Sequence, residues 1–223
     1  MLQAKKEPVL KRWFDFSLAL FGILVSLPVC FLITLAIYLE DRGPIFYLKK
    51  SIGKGGRIFY VIKFRSMIPY ADRKIHLSFF EEDSRLTKVG KILRPMAMDE
   101  LPQLINILKG EMSFVGPRAY AIERYGISRE TADIKEQIIL PEKVEFFKRT
   151  SVTPGLTGAE QVAMVNLYKH FIDDPTGKTV LDHDLFYIEN QNFYLDLKLI
   201  FLSFLITFKR KWEIAGRKHW VNC

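Results

Sequence analysis

Between Asp15 and Glu40 the chain runs for 24 residues without a charge, FSLALFGILVSLPVCFLITLAIYL, from Phe16 to Leu39. About 20 apolar residues are enough for a helix to cross the hydrocarbon of a bilayer, so this run decides what the rest of the chain must fold beside. It is too long for the core of a signal peptide and no small-residue cleavage site follows, so it is expected to stay on the protein. Pro28 stands near its middle, with 12 residues of the run before it and 11 after. There it removes a backbone donor and crowds the carbonyl of Leu24, and the Ser26 hydroxyl is placed to help a carbonyl freed in lipid. At about 1.5 Å per residue, each half is about one leaflet deep.

The flanking charges bear on topology. Lys5, Lys6, Lys11 and Arg12 precede the run, and Arg42, Lys49, Lys50 and Lys54 follow it. Cations favour the cytoplasmic side of a membrane. A helix–break–helix that enters and leaves by one face satisfies both flanks; a straight span satisfies one. The residues alone leave both readings open. Near the other end, Tyr194–Trp212 holds a ten-residue apolar run, Leu199 to Phe208, followed by Lys209, Arg210 and Lys211. Ten residues cannot span, which leaves a helix lying in the interface or an ordinary core helix.

The remaining residues describe a folded, basic protein. Of the 223 residues, 49% are hydrophobic and 26% charged, and the formal charge is +8. That composition excludes a globally disordered chain and favours an anionic partner: nucleic acid, an anionic membrane surface or a phosphorylated substrate. Cys30 and Cys223 form neither a metal-ligand spacing nor a disulfide framework, and the four histidines are scattered. Two β-rich runs, Ile45–Lys49 and Ile58–Phe64, flank Gly53-Lys54-Gly55-Gly56, which reads as a hairpin turn and not a phosphate-binding P-loop. Lys63 and Arg65 alternate with Ile62 and Phe64, placing two cations on one face of a strand end.

The segment MAMDELPQLINIL, Met96 to Leu108, sets Asp99 and Glu100 into an apolar run. Leu101, Leu104, Ile105 and Leu108 follow helical spacing, with Pro102 in the first turn and Lys109-Gly110 at the end. Asp99 then falls where an N-cap belongs, a role worth about 1 kcal/mol that needs no chemistry, and Glu100 suits the helix dipole. The same geometry serves catalysis, since first-turn amides keep Asp99 ionised and favour a phosphate. Further on, Arg118 follows a Gly-Pro turn, a helix is expected over Tyr120–Lys148, and SVTPGLTGAEQV is a loop.

Taken in order, these segments resemble the bacterial polyprenyl-phosphate phosphoglycosyl transferases of the monotopic kind, in their minimal form. The resemblance rests on KRWFDFSLA (Lys11–Ala19), the apolar run around Pro28, YVIKFRSM (Tyr60–Met67), GKILRPMAMDELPQLINILKGEMSFVGPR (Gly90–Arg118), TPGLTG (Thr153–Gly158), LDHDLFYIEN and YLDLKLIF. It implies an α+β fold with a re-entrant membrane helix–break–helix over residues 1–42, in which Ser26 and Pro28 shape the hairpin. A catalytic domain over residues 43–223 would carry a small β-hairpin, a helical body and interfacial amphipathic helices. The implied reaction moves a sugar-1-phosphate from a UDP-sugar to polyprenyl (undecaprenyl) phosphate through a covalent phosphosugar on Asp99, releasing UMP and starting surface glycan assembly. Glu100 would hold Mg²⁺, Lys63, Arg65, Arg94 and Arg118 would neutralise phosphate, and Asp184 would lie near the site. The implied location is the bacterial inner membrane, with the catalytic domain on the cytoplasmic face among inner-leaflet lipids.

This chain departs from the family pattern in places. Leu27 precedes Pro28 where Ser is usual, Ala119 follows Arg118 where Pro is usual, and Thr153 replaces a basic residue. GAEQVAMVN stands where Gly-Trp-Ala-Gln-Val-Asn-Gly-Arg is common. The competing expectation is a catalytically silent scaffold of the same fold, with Asp99 only a cap. A nucleic-acid binder has no recognition motif here to support it. A homodimer is compatible with the sequence but not required by it.

Overall fold

The computed structural model describes residues 7–68, 85–122, 148–163 and 180–208. The helix expected over Tyr120–Lys148 and the basic run Lys209–Lys211 lie essentially outside them. The apolar run forms one helix, α1, Val9–Asp41, which is long and apolar enough to cross a membrane. The helix runs on through Pro28, with no non-helical residue separating its two halves. Ser26 Oγ donates to the Ile23 carbonyl at 3.2 Å and not to that of Leu24. A proline forfeits one helical bond, and here packing on both sides of it keeps the helix whole.

That packing follows a single stripe. Lys11, Asp15 and Ala19, then Ile33 and Ile37, are buried, with half-buried Gly22, Ser26 and Cys30 between them. Steps of three and four residues put all of these on one helix face. The other faces are apolar and exposed, from Val9, Leu10 and Trp13 through Phe21, Leu24 and Phe31 to Leu39.

Both ends of α1 are bonded to the same body. At the start, Lys11 Nζ donates to Asp196 Oδ2 at 2.7 Å and to the Val115 carbonyl at 3.1 Å. Arg12 donates to the carbonyls of Ile107 and Leu108, both at 2.6 Å, and Asp15 accepts from the Phe114 amide at 3.1 Å. At the far end Glu40 accepts from the amides of Lys88 and Val89, at 2.6 and 3.1 Å, and Asp41 pairs with Arg65. Lys11 and Arg12, which sequence reasoning assigned to a topology-setting flank, are therefore internal bonding groups.

The body is built from short elements. Strands β1 (Phe46–Ile52) and β2 (Ile58–Phe64) form the expected antiparallel hairpin, with Phe46 opposite Phe64. Helix α2 (Lys88–Leu93) is capped by Thr87, whose Oγ accepts from the Gly90 amide. Helix α3 (Gln103–Lys109) packs on α1 and β2, burying Ala19, Phe59, Val61, Leu104, Ile107 and Met112 together. A second cluster joins Ile33 and Ile37 to Phe64 and Leu93.

Strand β3 (Ser113–Val115) runs parallel to β4 (Gly155–Thr157), pairing Ser113 with Gly155. A Cβ on Gly155 would come within 2.1 Å of the Gly116 amide nitrogen, and one on Gly116 within 2.4 Å of the Thr153 carbonyl oxygen. Only glycine lets these two backbones close so tightly, which fixes Arg118 against the Thr153–Thr157 loop. Helices α4 (Ala159–Ala163), α5 (Val180–Asn190) and α6 (Phe193–Phe208) complete the largest core, around Val115, Val162, Tyr187, Leu199, Leu202 and Ile206.

Helix α6 answers to both sequence readings at once. Leu199, Leu202 and Ile206 are fully buried, while Tyr194, Leu197, Phe201 and Phe204 form an exposed apolar stripe on another face. Tyr194 is 77% exposed.

Candidate active site

The dyad sits in a turn, not at a helix start. Arg94–Met96 and Met98–Glu100 are two 3₁₀ turns joined at Ala97, whose φ of 53° is left-handed. For alanine that conformation costs about 1 kcal/mol, so the bend is imposed by its surroundings. Leu101 closes back on the Met98 carbonyl and Pro102 takes the N-cap position of α3. Asp99 therefore makes no capping bond, contrary to the expectation from spacing. It turns inward and is 7% exposed. The buried face of α3 also differs: Ile107 is buried with Leu104, while Ile105 is 39% exposed. Gly110 ends the helix as expected, its amide donating to the Asn106 and Ile107 carbonyls.

A fully buried asparagine, missed by sequence reasoning, aligns the dyad with the hairpin. Asn106 Oδ1 accepts from the Ile62 amide at 3.1 Å, and its Nδ2 donates to the Tyr60 carbonyl at 2.8 Å and to Glu111 at 2.7 Å. Side-chain amides can mimic a strand partner, and here the bonds hold α3 to the residues just before Lys63. The signal was available: Asn interrupts an apolar helix face, and a buried polar group must find partners.

Lys63 pairs with Glu100 Oε1, and Arg118 Nη2 lies 3.6 Å from the same oxygen. Burial would raise the Glu100 pKa, but Lys63 and Arg118 outweigh it and hold the carboxyl below the usual glutamate range. Asp99 goes the other way. Burial raises its pKa, the neighbouring Glu100 charge adds to that, and Lys63 and Arg94 only partly offset them. Burial works against the Arg118 cation too, but Glu100 and Glu160 overcome it and raise its pKa. Lys63 and Arg94 act on Asp99 through their charge. One acid is thus clamped and ionised, while its neighbour is buried and its pKa raised.

The other residues singled out from the sequence divide. Arg94 acts electrostatically on Asp99 and donates from Nε to Ser66 Oγ at 3.0 Å. Arg65 does not share the Lys63 face: it lies beyond the end of β2, is buried, and forks onto Asp41. Asp184 is fully buried and 2.5 Å from Arg149 Nη2. Arg149 also lies 3.6 Å from Glu160, stacks 4.2 Å over the Tyr120 ring, and donates to the Arg118 carbonyl at 3.3 Å. Tyr120 Oη donates to Glu160 at 2.7 Å. Asp184 thus belongs to a cluster that braces the Arg118 backbone and makes no contact with the dyad. Burial raises the Asp184 pKa, Arg149 pulls it back and Glu160 raises it again, leaving it at about 7.

Beside the dyad is a small, half-open cleft, lined in part by Lys49, Lys63, Glu100, Gln103, Arg118 and Gln161. Cations and a carboxylate on one wall suit a phosphate ester with a divalent ion. Among the described residues no group of three or more His, Cys, Asp or Glu side chains converges. The donors do fit Mg²⁺, a hard ion that binds one or two carboxylates and completes its shell with water and substrate phosphate. Asp99 and Glu100 supply two adjacent carboxylates of this kind.

Comparison with known proteins gives this geometry a lineage. The bacterial sugar transferase family profile matches residues 6–210. The chain is 35% identical over 195 residues to the UDP-N-acetylgalactosamine-undecaprenyl-phosphate N-acetylgalactosaminephosphotransferase of Aeromonas hydrophila, covering 86% of this chain and 42% of that protein. It is 36% identical over 195 residues to the undecaprenyl-phosphate glucose phosphotransferase of Komagataeibacter xylinus, covering 86% and 35%. It therefore spans less than half the length of these two relatives. With the exopolysaccharide production protein PSS of Rhizobium leguminosarum bv. phaseoli the identity is 34% over 195 residues, covering 86% and 92%. The dyad, its cations and the loop that carries Arg118 all lie inside the matched region, and the chain belongs to the bacterial sugar transferase family.

Proposed function

We propose that this protein is a membrane-bound phosphoglycosyl transferase that moves a sugar-1-phosphate from a UDP-sugar to undecaprenyl phosphate. The observation that carries the reading is Asp99: a buried carboxylate that makes no helix-capping bond, next to a Glu100 already clamped by Lys63 and Arg118. A cap would have spent that carboxylate on helix amides. An uncommitted one is available as a nucleophile.

In the first step an Asp99 oxygen attacks the phosphorus bonded to the sugar. The bond from that phosphorus to the bridging oxygen breaks, and UMP leaves with the electron pair. The phosphosugar is then an acyl phosphate on Asp99. In the second step an oxygen of the lipid phosphate attacks the same phosphorus, the bond to Asp99 breaks, and the carboxylate is regenerated with a lipid diphosphate sugar as product. Lys63 and Arg118 hold phosphate oxygens as charge shifts, and Arg94 favours the ionised form of Asp99. Glu100 would hold Mg²⁺, which when bound would neutralise phosphate charge and so assist the departure of UMP.

The membrane disposition follows from α1. Some 29 residues separate Arg12 from Asp41, about 44 Å of helix, and both are bonded to one body. A helix crossing about 30 Å of hydrocarbon would part those anchors. We infer that α1 stays on one face of the inner membrane, the cytoplasmic face where a UDP-sugar is available, with its exposed apolar sides and the outer stripe of α6 against inner-leaflet lipid.

The test is UMP release by the full chain in lipid nanodiscs with Mg²⁺, undecaprenyl phosphate and UDP-sugars labelled at the sugar-linked phosphorus. Wild type should release UMP and, without lipid acceptor, retain label on the protein. Asp99→Asn should do neither, with unfolding unchanged. Equal release by both proteins would return Asp99 to a structural role.

A further inference from the structure

Two buried side chains of α1 take hold of β3 where it leads to Arg118. Lys11 and Asp15 stand one helical turn apart and are 5% and 3% exposed. Asp15 accepts from the Phe114 amide at 3.1 Å, and Lys11 Nζ donates to the Val115 carbonyl at 3.1 Å. Lys11 also donates to Asp196 Oδ2 at 2.7 Å, in the first turn of α6. Tyr187 Oη lies 3.1 Å from the Val115 carbonyl oxygen and 2.7 Å from Asp196 Oδ1. A phenol has one hydrogen, and the shorter contact to the carboxylate takes it. The Val115 carbonyl is therefore served by Lys11.

A buried ion pair is often no more stabilising than apolar residues of the same size, so charges placed here point to geometry. Strand β3 has only three residues, and Gly116-Pro117-Arg118 follows it at once. On one side the Ser113 amide donates to the Pro154 carbonyl and the Gly116 amide to that of Thr157, both at 2.9 Å. From α1 come the bonds to Phe114 and Val115, the two residues just before the turn. Beyond that turn Arg118 Nη2 lies 3.6 Å from Glu100 Oε1, and both residues line the cleft. We propose that Lys11 is a positioning residue for the transfer. It holds the Val115 carbonyl, and through it the turn that presents Arg118 to the phosphate.

This inference rests on the transferase reading, and a double-mutant cycle tests it. Lys11→Met alone would leave the Asp196 charge buried without its cation. Lys11→Met combined with Asp196→Asn removes both charges, and the new amide oxygen still accepts from Tyr187. In nanodiscs at saturating donor this paired variant should release UMP about 10²-fold more slowly, the loss that a misplacement of about 1 Å can cause. Added to Arg118→Met, the same two changes should alter the rate by less than about twofold, because the cation they position is already gone. An equal loss in both backgrounds would make Lys11 a structural prop, and no loss in either would leave Arg118 set without it; each result overturns the proposal. Calorimetry repeats the cycle without turnover, with UMP as the ligand. The paired changes should weaken UMP binding in the wild-type background and leave that of Arg118→Met within about twofold. A protein that shows this coupling in binding yet releases no UMP would defeat the transferase reading and leave this one standing. If wild type binds no UMP, Arg118 is not presented to a phosphate and both fail.

Discussion

Two places in this protein gather acids around arginine or lysine, and they are built to opposite ends. At the dyad, Glu100 shares one oxygen between Lys63 and Arg118, both partly exposed, while Lys63 and Arg94 act on Asp99 through their charge. Behind Arg118, Glu160 and Asp184 converge on Arg149 with all three side chains almost wholly buried. The dyad opens onto a cleft. The buried cluster draws both acids onto one guanidinium and gives its structural effort to the Arg118 carbonyl and the Tyr120 ring. What separates the two regions is access: Glu100 lines a cleft with Lys63 and Arg118, whereas Glu160 and Asp184 are packed behind Arg118.

The sharpest way to break that comparison is Arg149→Met. It leaves two buried carboxylates facing each other without a cation, and breaking a buried pair by removing one partner costs about 3–5 kcal/mol. Thermal or chemical unfolding should show a loss of that size. A loss under about 1 kcal/mol, the range of exposed pairs, would mean that the cluster does not hold the body together.

Lys63→Met makes the matching cut at the dyad and should have the opposite signature. With both side chains about one-fifth exposed and Arg118 still beside Glu100, the loss of stability should be smaller than that of Arg149→Met. UMP release should nevertheless fall about 10²-fold, the usual effect of removing one group that stabilises developing charge. A variant that unfolds readily but keeps its specific activity would reverse the two assignments.

The difference between the regions explains how far the sequence could be read. The hairpin, the glycine stop at Gly110 and the apolar run were legible because each depends on a local pattern: alternation, left-handed backbone, length. The dyad was legible as a pair of acids, but its role was not. Whether Asp99 caps a helix turns on a 3₁₀ turn held by Ala97 and on Pro102 taking the cap position, and no spacing reveals that. Alternation put Arg65 on the Lys63 face, and the resemblance assigned it to phosphate; the strand ends at Phe64, and Asp41, 24 residues upstream, pairs with it. Asp184 was expected near the site from resemblance; in the structure it pairs with Arg149, which with Glu160 comes from elements 24 or more residues upstream. Long-range pairing decided each of these, and charge periodicity does not encode it.

The smallest effect concerns pH and tests whether Asp184 is part of the architecture as described. Burial, then Arg149, then Glu160 leave its pKa at about 7, above the ordinary aspartate value of 3.8. A carboxyl whose pKa is raised on folding binds its proton more tightly in the folded state. Its contribution is therefore fully present below about pH 4 and is lost as the pH rises through about 7. Asp184→Asn stays neutral throughout and serves as the reference, cancelling every other titrating group. Between pH 4 and pH 7.5 wild type should lose stability relative to the variant, by at least about 1.4 kcal/mol, the value of one pKa unit, with no further change at higher pH. The opposite trend, wild type gaining on the variant as pH rises, would mean that Arg149 holds Asp184 ionised. The cluster would then behave like the Lys63–Glu100 pair, and the contrast between the two regions would reduce to depth alone.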